Sequence, residues 1–544
     1  MTAPAQQPVA HRHSPWLVLS VLCLGFFMIL LDTTIVNIAI PAISDHLHAS
    51  LSDILWVLNS YVLVYAVLLI PAGRLGDLYG PKQLFMVGLV IFTLASVACG
   101  FAQNPTQLII FRMVQGVGGA LLTPQTLSVL TMIFPPDKRG AAFGIWGATA
   151  GVATVAGPVV GGWLVTDYGW PWIFFVNVPV GLVALVGAAI LMPDLKLNRR
   201  HRLDWVGTLL ATAGLFLITY GLIEGQPHDW GKVWGPITIP EIIGAGVVLM
   251  VVFFFQQRAQ RDGEPLIPFQ IFHDRNYSIM NYVVLSISFG MFGLFLPLTV
   301  FLQSVLKLSA LQAGLTTAPM SVVSMFVAPF AGRLADRIGG KWILFTGLSL
   351  FSLGMGILIA SSHLNTTRWH LLPGLIVAGF GMGMTFAPLQ TVAMRNVEPR
   401  MAGAASGFIN TTRQLGGVIG LAAMGALLQA QLSSKLKESA LAHTAGLPAE
   451  QRAQFLAKFG GSTGKLDIGN TTGGIEFPPG TPARVAQLAQ TIFHEGYVNA
   501  MRVTLWLPIA VIATGALSVL LVRERVGRRA GQRAEAEAPP VAVG

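Results

Sequence analysis

Long apolar runs separated by short polar segments set the rhythm of the chain. They fall near 16–40, 54–72, 84–102, 107–130, 141–165, 172–192, 204–223, 237–255, 277–301, 312–331, 342–361, 370–391, 403–428 and 500–522. About 20 apolar residues in helical form cross a hydrocarbon core. Lipid offers the backbone no hydrogen-bond partner, so runs of this length must pair internally as helices. The pattern predicts fourteen transmembrane helices. One long polar stretch, 429–497, interrupts it. Its start (429–459) is rich in Ala, Leu, Gln and Lys and reads as helix, 460–482 is a Gly/Pro/Thr-rich turn region, and 483–496 reads as helix again. A helical hairpin over one mouth of the bundle is the expected shape, either tied to transport or a solvated insertion.

Composition agrees with a membrane solvent. Of the 544 residues 53% are apolar and 11% charged, with mean hydropathy +0.65; an ordinary soluble chain carries about 25% charge. The net charge of +10 is scattered between the apolar runs and does not form a nucleic-acid-binding patch. Alternate inter-span segments hold twenty-two Lys and Arg, against Lys232, Lys307 and Arg368 among the short segments of the other set. The positive-inside rule then places both termini in the cytoplasm of a plasma (inner) membrane. Cys23 and Cys99 lie within apolar runs and read as packed core residues. The first run is a full span followed by Pro41, so no cleavable signal is expected.

After the second run stands Gly73-Arg74-Leu75-Gly76-Asp77-Leu78-Tyr79-Gly80-Pro81-Lys82, and after the tenth Gly332-Arg333-Leu334-Ala335-Asp336-Arg337-Ile338-Gly339-Gly340-Lys341. Gly, Arg, Leu, Asp, Gly and Lys recur at identical offsets. Glycine permits the reversal, Asp can meet a helix N-terminus, and the basic residues can bridge to carboxylates. Gly73, Arg74, Asp77, Lys82, Gly332, Arg333, Asp336, Arg337 and Lys341 are therefore candidates for a conformational latch. The repeat predicts an all-α polytopic protein of two six-helix halves. Its expected parts are 1–195 (first bundle), 196–262 (an inserted pair of spans with linkers), 263–428 (spans 9–13), 429–497 (outer hairpin), 498–522 (last span) and 523–544 (basic tail).

These turns resemble the loop motif of the major facilitator superfamily, in particular its fourteen-span drug:proton antiporter branch. The second copy matches more closely, since Leu78 and Pro81 stand where basic residues are usual; the first latch is expected to be the weaker. Leu31-Asp32-Thr33-Thr34-Ile35-Val36-Asn37-Ile38-Ala39-Ile40-Pro41 resembles that branch's first-helix motif, and Arg112 to Ala120 its fourth-helix motif. Gly157-Pro158-Val159-Val160-Gly161-Gly162 is similar to the stretch that separates the family's antiporters from its symporters. The resemblance implies two bundles and proton-coupled export by alternating access.

Residue chemistry points to the same place. Asp32 is the one acid well inside an apolar run, and a lone carboxylate there must be protonated, paired or wet. At about 1.5 Å per residue, Asp32 lies roughly 24 Å from the inner boundary of span 1, and Arg112 about 8 Å below the outer boundary of span 4. In a core about 30 Å thick the two levels coincide, so an Asp32–Arg112 proton-coupling pair is possible. Arg413, about 15 Å deep in span 13, must face the bundle interior, either as an anchor or against substrate. Asn37, Tyr61, Tyr65 and Gln115 are, with Arg413, candidate cavity residues. Asn59, Gln125, Asn177, Asn281, Gln303 and Gln390 are read as stitches between helices, and Asp204 as a helix cap.

Gly340-Lys341 lacks the first glycine and the Ser/Thr of a phosphate-binding loop. ATP-driven transport, enzymatic catalysis, a cofactor and a metal site are not expected. The expected partners are protons, the lipid bilayer and a small hydrophobic or amphipathic substrate, neutral, monovalent or anionic in preference to dicationic; an adaptor protein is compatible with the pattern. The expected function is multidrug efflux, with export of one lipid, siderophore, amino acid or antibiotic as the alternative.

Overall fold

The computed structural model describes residues 14–49, 51–135, 138–195, 204–225, 228–259, 269–364, 366–398, 401–444 and 483–523. Among them are 14 helical spans long and apolar enough to cross a membrane. The first half contains α1 (Pro15–Leu47), α2 (Leu51–Tyr79), α3 (Pro81–Gly100), α4 (Pro105–Ile133), α5 (Arg139–Tyr168), and α6 (Trp172–Phe175) with α7 (Asn177–Leu191) as one broken span. Then come α8 (Trp205–Glu224) and α9 (Ile239–Ala259), joined by a small hairpin of β1 (Lys232–Trp234) and β2 (Ile237–Thr238). The second half follows α10 (Gln270–His273) with α11 (Arg275–Val300), α12 (Ala310–Ile338), α13 (Lys341–Ser361), α14 (Leu372–Met394), α15 (Ala402–His443), α16 (Ala483–Thr504) and α17 (Trp506–Val519).

Local chemistry sets these ends. Proline, whose missing N–H costs nothing at the first helical turn, opens α1, α3 and α4. The Asn104 side chain accepts from Gln107 N at 2.9 Å at the start of α4, and Asp204 accepts from Gly207 N at 2.8 Å at the start of α8. Gly80 and Gly339 occupy the same offset in the two repeated turns with φ of 93° and 92°, where a side chain is strained.

Some details differ from the pattern reading. The α1 helix does not stop at Pro41 but runs on to Leu47. The β1–β2 hairpin was not legible in so short a segment; Gly235 makes its reversal with φ 56°. The described parts of the two arms of 429–497 are helical as the pattern predicts: α15 continues without a break from 402 to 443, and α16 leads from Ala483 towards the last span. They pack together, with Gly496 against Leu436 and Ser439 Oγ donating to Glu495 Oε2 at 3.2 Å. Residues 445–482, which include the end of the first arm and the 460–482 turn, the 523–544 tail past Arg523, and the 196–203 linker segment lie outside the described residues.

Helices α1–α7 form one bundle and α11–α17 the other. The seam between them is made by α5 against α12 and α14, and by α15 against α2 and α4; α8 lies beside α2 and α15. Burial runs outward from α4, whose span is 89% buried, to α9, at 22%. Apolar side chains on the outer helices α8 and α9, such as Leu209, Val248 and Phe255, stay exposed, as a lipid-facing surface requires.

Candidate functional site

The most deeply buried span, α4, carries the buried cation Arg112. Gly116 and Gly118 bring α4 against its neighbours: a Cβ at Gly116 would stand 2.8 Å from Tyr61 O of α2, and one at Gly118 2.6 Å from Phe92 N of α3. This close approach seals Arg112 and Asp32 inside, at 1% and 0% exposure. Arg112 Nη1 is bonded to Asp32 Oδ2 as a buried ion pair. The same guanidinium donates to Gln115 Oε1 at 2.7 Å and, through Nε, to Val57 O at 3.2 Å. It also lies over the Tyr61 ring, 4.4 Å from the centroid, a favourable cation–π position. Asp32 Oδ1 accepts from Gln115 Nε2 at 2.8 Å and Asn177 Nδ2 at 3.2 Å. Ser96 Oγ accepts from the same two amides, at 2.6 and 3.2 Å.

Asp32, Arg112, Tyr61 and Gln115 thus form one cluster. Ser96 was not singled out in the sequence, and Asn177 was read only as a helix stitch. Their signal was weak: a serine in an apolar run, and an asparagine at the break between α6 and α7. Tyr65 lies one turn from Tyr61 and pairs with Thr123 Oγ1 at 3.0 Å. Asn37 is exposed and donates to Thr33 O at 2.9 Å, outside the cluster. Arg413 is half-buried on α15, on the other bundle.

A second constellation closes one face of the seam. Asp77 at the end of α2 accepts from Gly403 N and Ala404 N, the first turn of α15, both at 2.9 Å. Asp336 at the end of α12 accepts from Gly140 N at 2.7 Å and Ala141 N at 2.9 Å, the first turn of α5. Each carboxylate therefore caps a helix of the opposite bundle, where free N–H groups and the helix dipole favour an anion. Glycine permits the contact: a Cβ at Gly73 would lie 2.4 Å from Gly403 O, and one at Gly332 1.9 Å from Gly140 O. The first copy, expected to be weaker, is the more deeply buried. Arg74 and Asp77 are 8% and 6% exposed, whereas Arg333 and Arg337 are exposed and Asp336 is half-buried.

The two lysines of the repeat act within their own bundles. Lys82 Nζ donates to Ala189 O and Met192 O at 2.8 and 2.7 Å, ending α7. Lys341 Nζ donates to Leu520 O and Val522 O at 2.7 and 3.0 Å, just past α17. Both satisfy orphan carbonyls at a helix C-terminus.

The glycine stretch lets α5 pack closely against α1, at Thr34 and Ile35 next to Asp32 in the chain. A Cβ at Gly157 would meet Thr34 Oγ1 at 2.2 Å, and one at Gly161 Ile35 Cγ1 at 2.7 Å, whereas Gly162 has nothing within 4 Å. Pro158 follows the helical path of α5, but its side chain lies outside the described residues. Gly157→Leu is expected to destabilise the purified protein by about 1–3 kcal/mol through overpacking, with Gly162→Leu within about 0.5 kcal/mol of the parent. Thermal unfolding of the two variants side by side makes the comparison.

The profile of the Major Facilitator Superfamily matches residues 22–421. The chain belongs to this superfamily. An uncharacterized MFS-type transporter of Mycobacterium tuberculosis (strain ATCC 25618 / H37Rv) is 42% identical over 82% of this chain and 76% of its own length. A probable actinorhodin transporter of Streptomyces coelicolor is 34% identical over 94% of this chain and 92% of its own. A tetracenomycin C resistance and export protein of Streptomyces glaucescens is 33% identical over 94% and 92%. Among solved structures, a proton:xylose symporter of the superfamily aligns with TM-score 0.57 at 13% identity, covering 93% of this chain and 95% of that one. That likeness is one of fold. In this major facilitator chain the buried ion pair belongs wholly to the first bundle, while the carboxylate caps link first and second.

Proposed function

We propose that this chain is a proton-driven exporter of small hydrophobic or amphipathic compounds working by alternating access. The buried Asp32–Arg112 pair, sealed among Gln115, Ser96 and Asn177, is the observation that carries the reading. A carboxylate without water is tolerated only with a full set of partners. Binding a proton cancels its charge and releases Arg112 from the ion pair, so proton occupancy and local packing are linked. Relatives named as multidrug resistance proteins of Mycobacterium tuberculosis and as a puromycin resistance protein of Streptomyces alboniger support drug export.

The excess of basic residues supports an orientation with the repeated turns and both termini on the cytoplasmic side. On that orientation the Asp77 and Asp336 caps shut the cytoplasmic face, and admitting substrate from inside breaks all four of their bonds. Gly73, Arg74, Lys82, Gly332, Arg333, Arg337 and Lys341 would shape this latch, and Asn37, Tyr65 and Arg413 would contribute to substrate passage. Relatives named for one compound, actinorhodin or tetracenomycin C, favour a second reading: one dedicated substrate carried by the same mechanism. Competition among chemically unrelated compounds for one transport site separates the two.

The test is dye efflux from vesicles under an imposed proton gradient, comparing the parent with Asp32→Asn. Efflux that needs the gradient and falls at least tenfold in the variant is expected. Undiminished, gradient-dependent efflux by Asp32→Asn would place the proton elsewhere.

A further inference from the structure

We infer that Asn177 is the positioning residue that allows Asp32 to hold a proton, by turning its carboxamide from donor to acceptor. The inference rests on the proton-coupling reading above. Among the described residues, the polar groups hydrogen-bonded to the Asp32 carboxylate are donors: Arg112 Nη1 at Oδ2, and Gln115 Nε2 and Asn177 Nδ2 at Oδ1. Such a shell fits the ionised form. A protonated carboxyl has an O–H to place and needs an acceptor in the same closed space.

The acceptors nearby are mostly taken. Gln115 Oε1 accepts from Arg112 at 2.7 Å. Ser96 Oγ accepts from Gln115 and from Asn177. The Tyr61 hydroxyl has no partner among the described residues, but it lies beside Gly119, where a Cβ would be 3.1 Å from it. Asn177 Oδ1 also has no partner among the described residues, on a side chain that is fully buried and already at Asp32. An unpaired carbonyl oxygen in such a place calls for an explanation.

Half a turn about the last side-chain bond exchanges Oδ1 and Nδ2 with no change of shape. Asn177 Oδ1 then faces Asp32 Oδ1 and Ser96 Oγ, and each of those can donate an O–H to it once Asp32 is protonated. Nδ2 moves to the position without a partner. One amide atom is unpaired in either state, so the turn itself favours neither. The proton arrives from solvent, bonds to Asp32 Oδ1 and leaves from the same oxygen; no other bond forms or breaks. The other charged or titratable groups facing Asp32 are Arg112 from α4, Tyr61 from α2 and Cys99 from α3, whose Sγ lies 3.9 Å from Gln115 Oε1. All three remain in variants of residue 177.

Infrared difference spectra of the purified full chain between pH 4 and 10 read the protonated Asp32 carbonyl band, assigned by its loss in Asp32→Asn. On protonation Asn177 Oδ1 passes from unpaired to accepting the Asp32 O–H, so a side-chain amide carbonyl band is expected to shift to lower wavenumber as the Asp32 band rises, and to be absent from Asn177→Leu, which has no carboxamide. Asn177→Ser, which also lacks the carboxamide, assigns the same amide band where Asn177→Leu does not fold. An Asp32 band that rises with no Asn177-dependent amide band beside it overturns the proposal. Absence of any Asp32-dependent band in the parent defeats the proton reading itself, which is a separate result.

Discussion

Replacing Gly332 by leucine is expected to force apart the two bundles at the face that Asp77 and Asp336 hold shut. The obstacle is backbone: a Cβ at Gly332 would lie 1.9 Å from Gly140 O and 2.7 Å from Gly140 C. A flexible side chain could swing away, but Gly140 belongs to the first turn of α5, whose N–H groups are already held by Asp336. The helices must separate, and the caps then stretch beyond hydrogen-bond length. Gly73→Leu meets the corresponding obstacle at Gly403 O. Spin labels at the exposed positions Tyr79 and Ile338, in a background lacking Cys23 and Cys99, report the separation. The distance distribution is expected to move to longer values in both variants, with efflux reduced at least tenfold because the cycle needs the shut state. Gly356→Leu, at a glycine with nothing within 4 Å, serves as the control. An unshifted distribution in Gly332→Leu would show that this contact does not hold the face closed.

Legibility in the sequence followed the physics of each feature. Span positions were readable because a lipid solvent imposes one length and one polarity on every crossing helix. The repeated turns were readable because Gly80 and Gly339 must adopt positive φ and the two aspartates must meet helix ends, which restricts residue type at fixed offsets. Helix depth alone put Asp32 and Arg112 at one level. Faces were another matter. Fourteen spans of nearly uniform apolarity carry little helical periodicity, so Asn177, which turns inward to Asp32, and Asn37, which is exposed, look alike in the sequence. The relative burial of the two latch copies was also hidden, because burial of Arg74 and Asp77 depends on how α2 meets α15 and not on the residues at Leu78 and Pro81. The continuity of α15 beyond residue 428 was obscured by a change from apolar to polar composition that does not interrupt the helix.

Arg112→Met is expected to destabilise the chain strongly, and addition of Asp32→Asn is expected to recover most of that loss. Methionine removes the guanidinium but leaves Asp32, Gln115 and Asn177 buried, so the carboxylate loses its one counter-charge in the cluster. Breaking a buried pair in this way costs about 3–5 kcal/mol, comparable with the whole margin of many folded chains. Asn at position 32 removes the stranded charge and can still accept from Gln115 and Asn177. The double variant is therefore expected to lie within about 1–2 kcal/mol of the parent, as read by thermal unfolding in detergent at pH 8. Transport is expected to respond in the opposite way, remaining at least tenfold down in all three variants because none retains both the proton site and its counter-charge. Recovery of stability without recovery of efflux separates a pair held for coupling from one held for architecture; if the double variant regained both, the Asp32–Arg112 bond would be a structural tie and the proton would have to bind elsewhere.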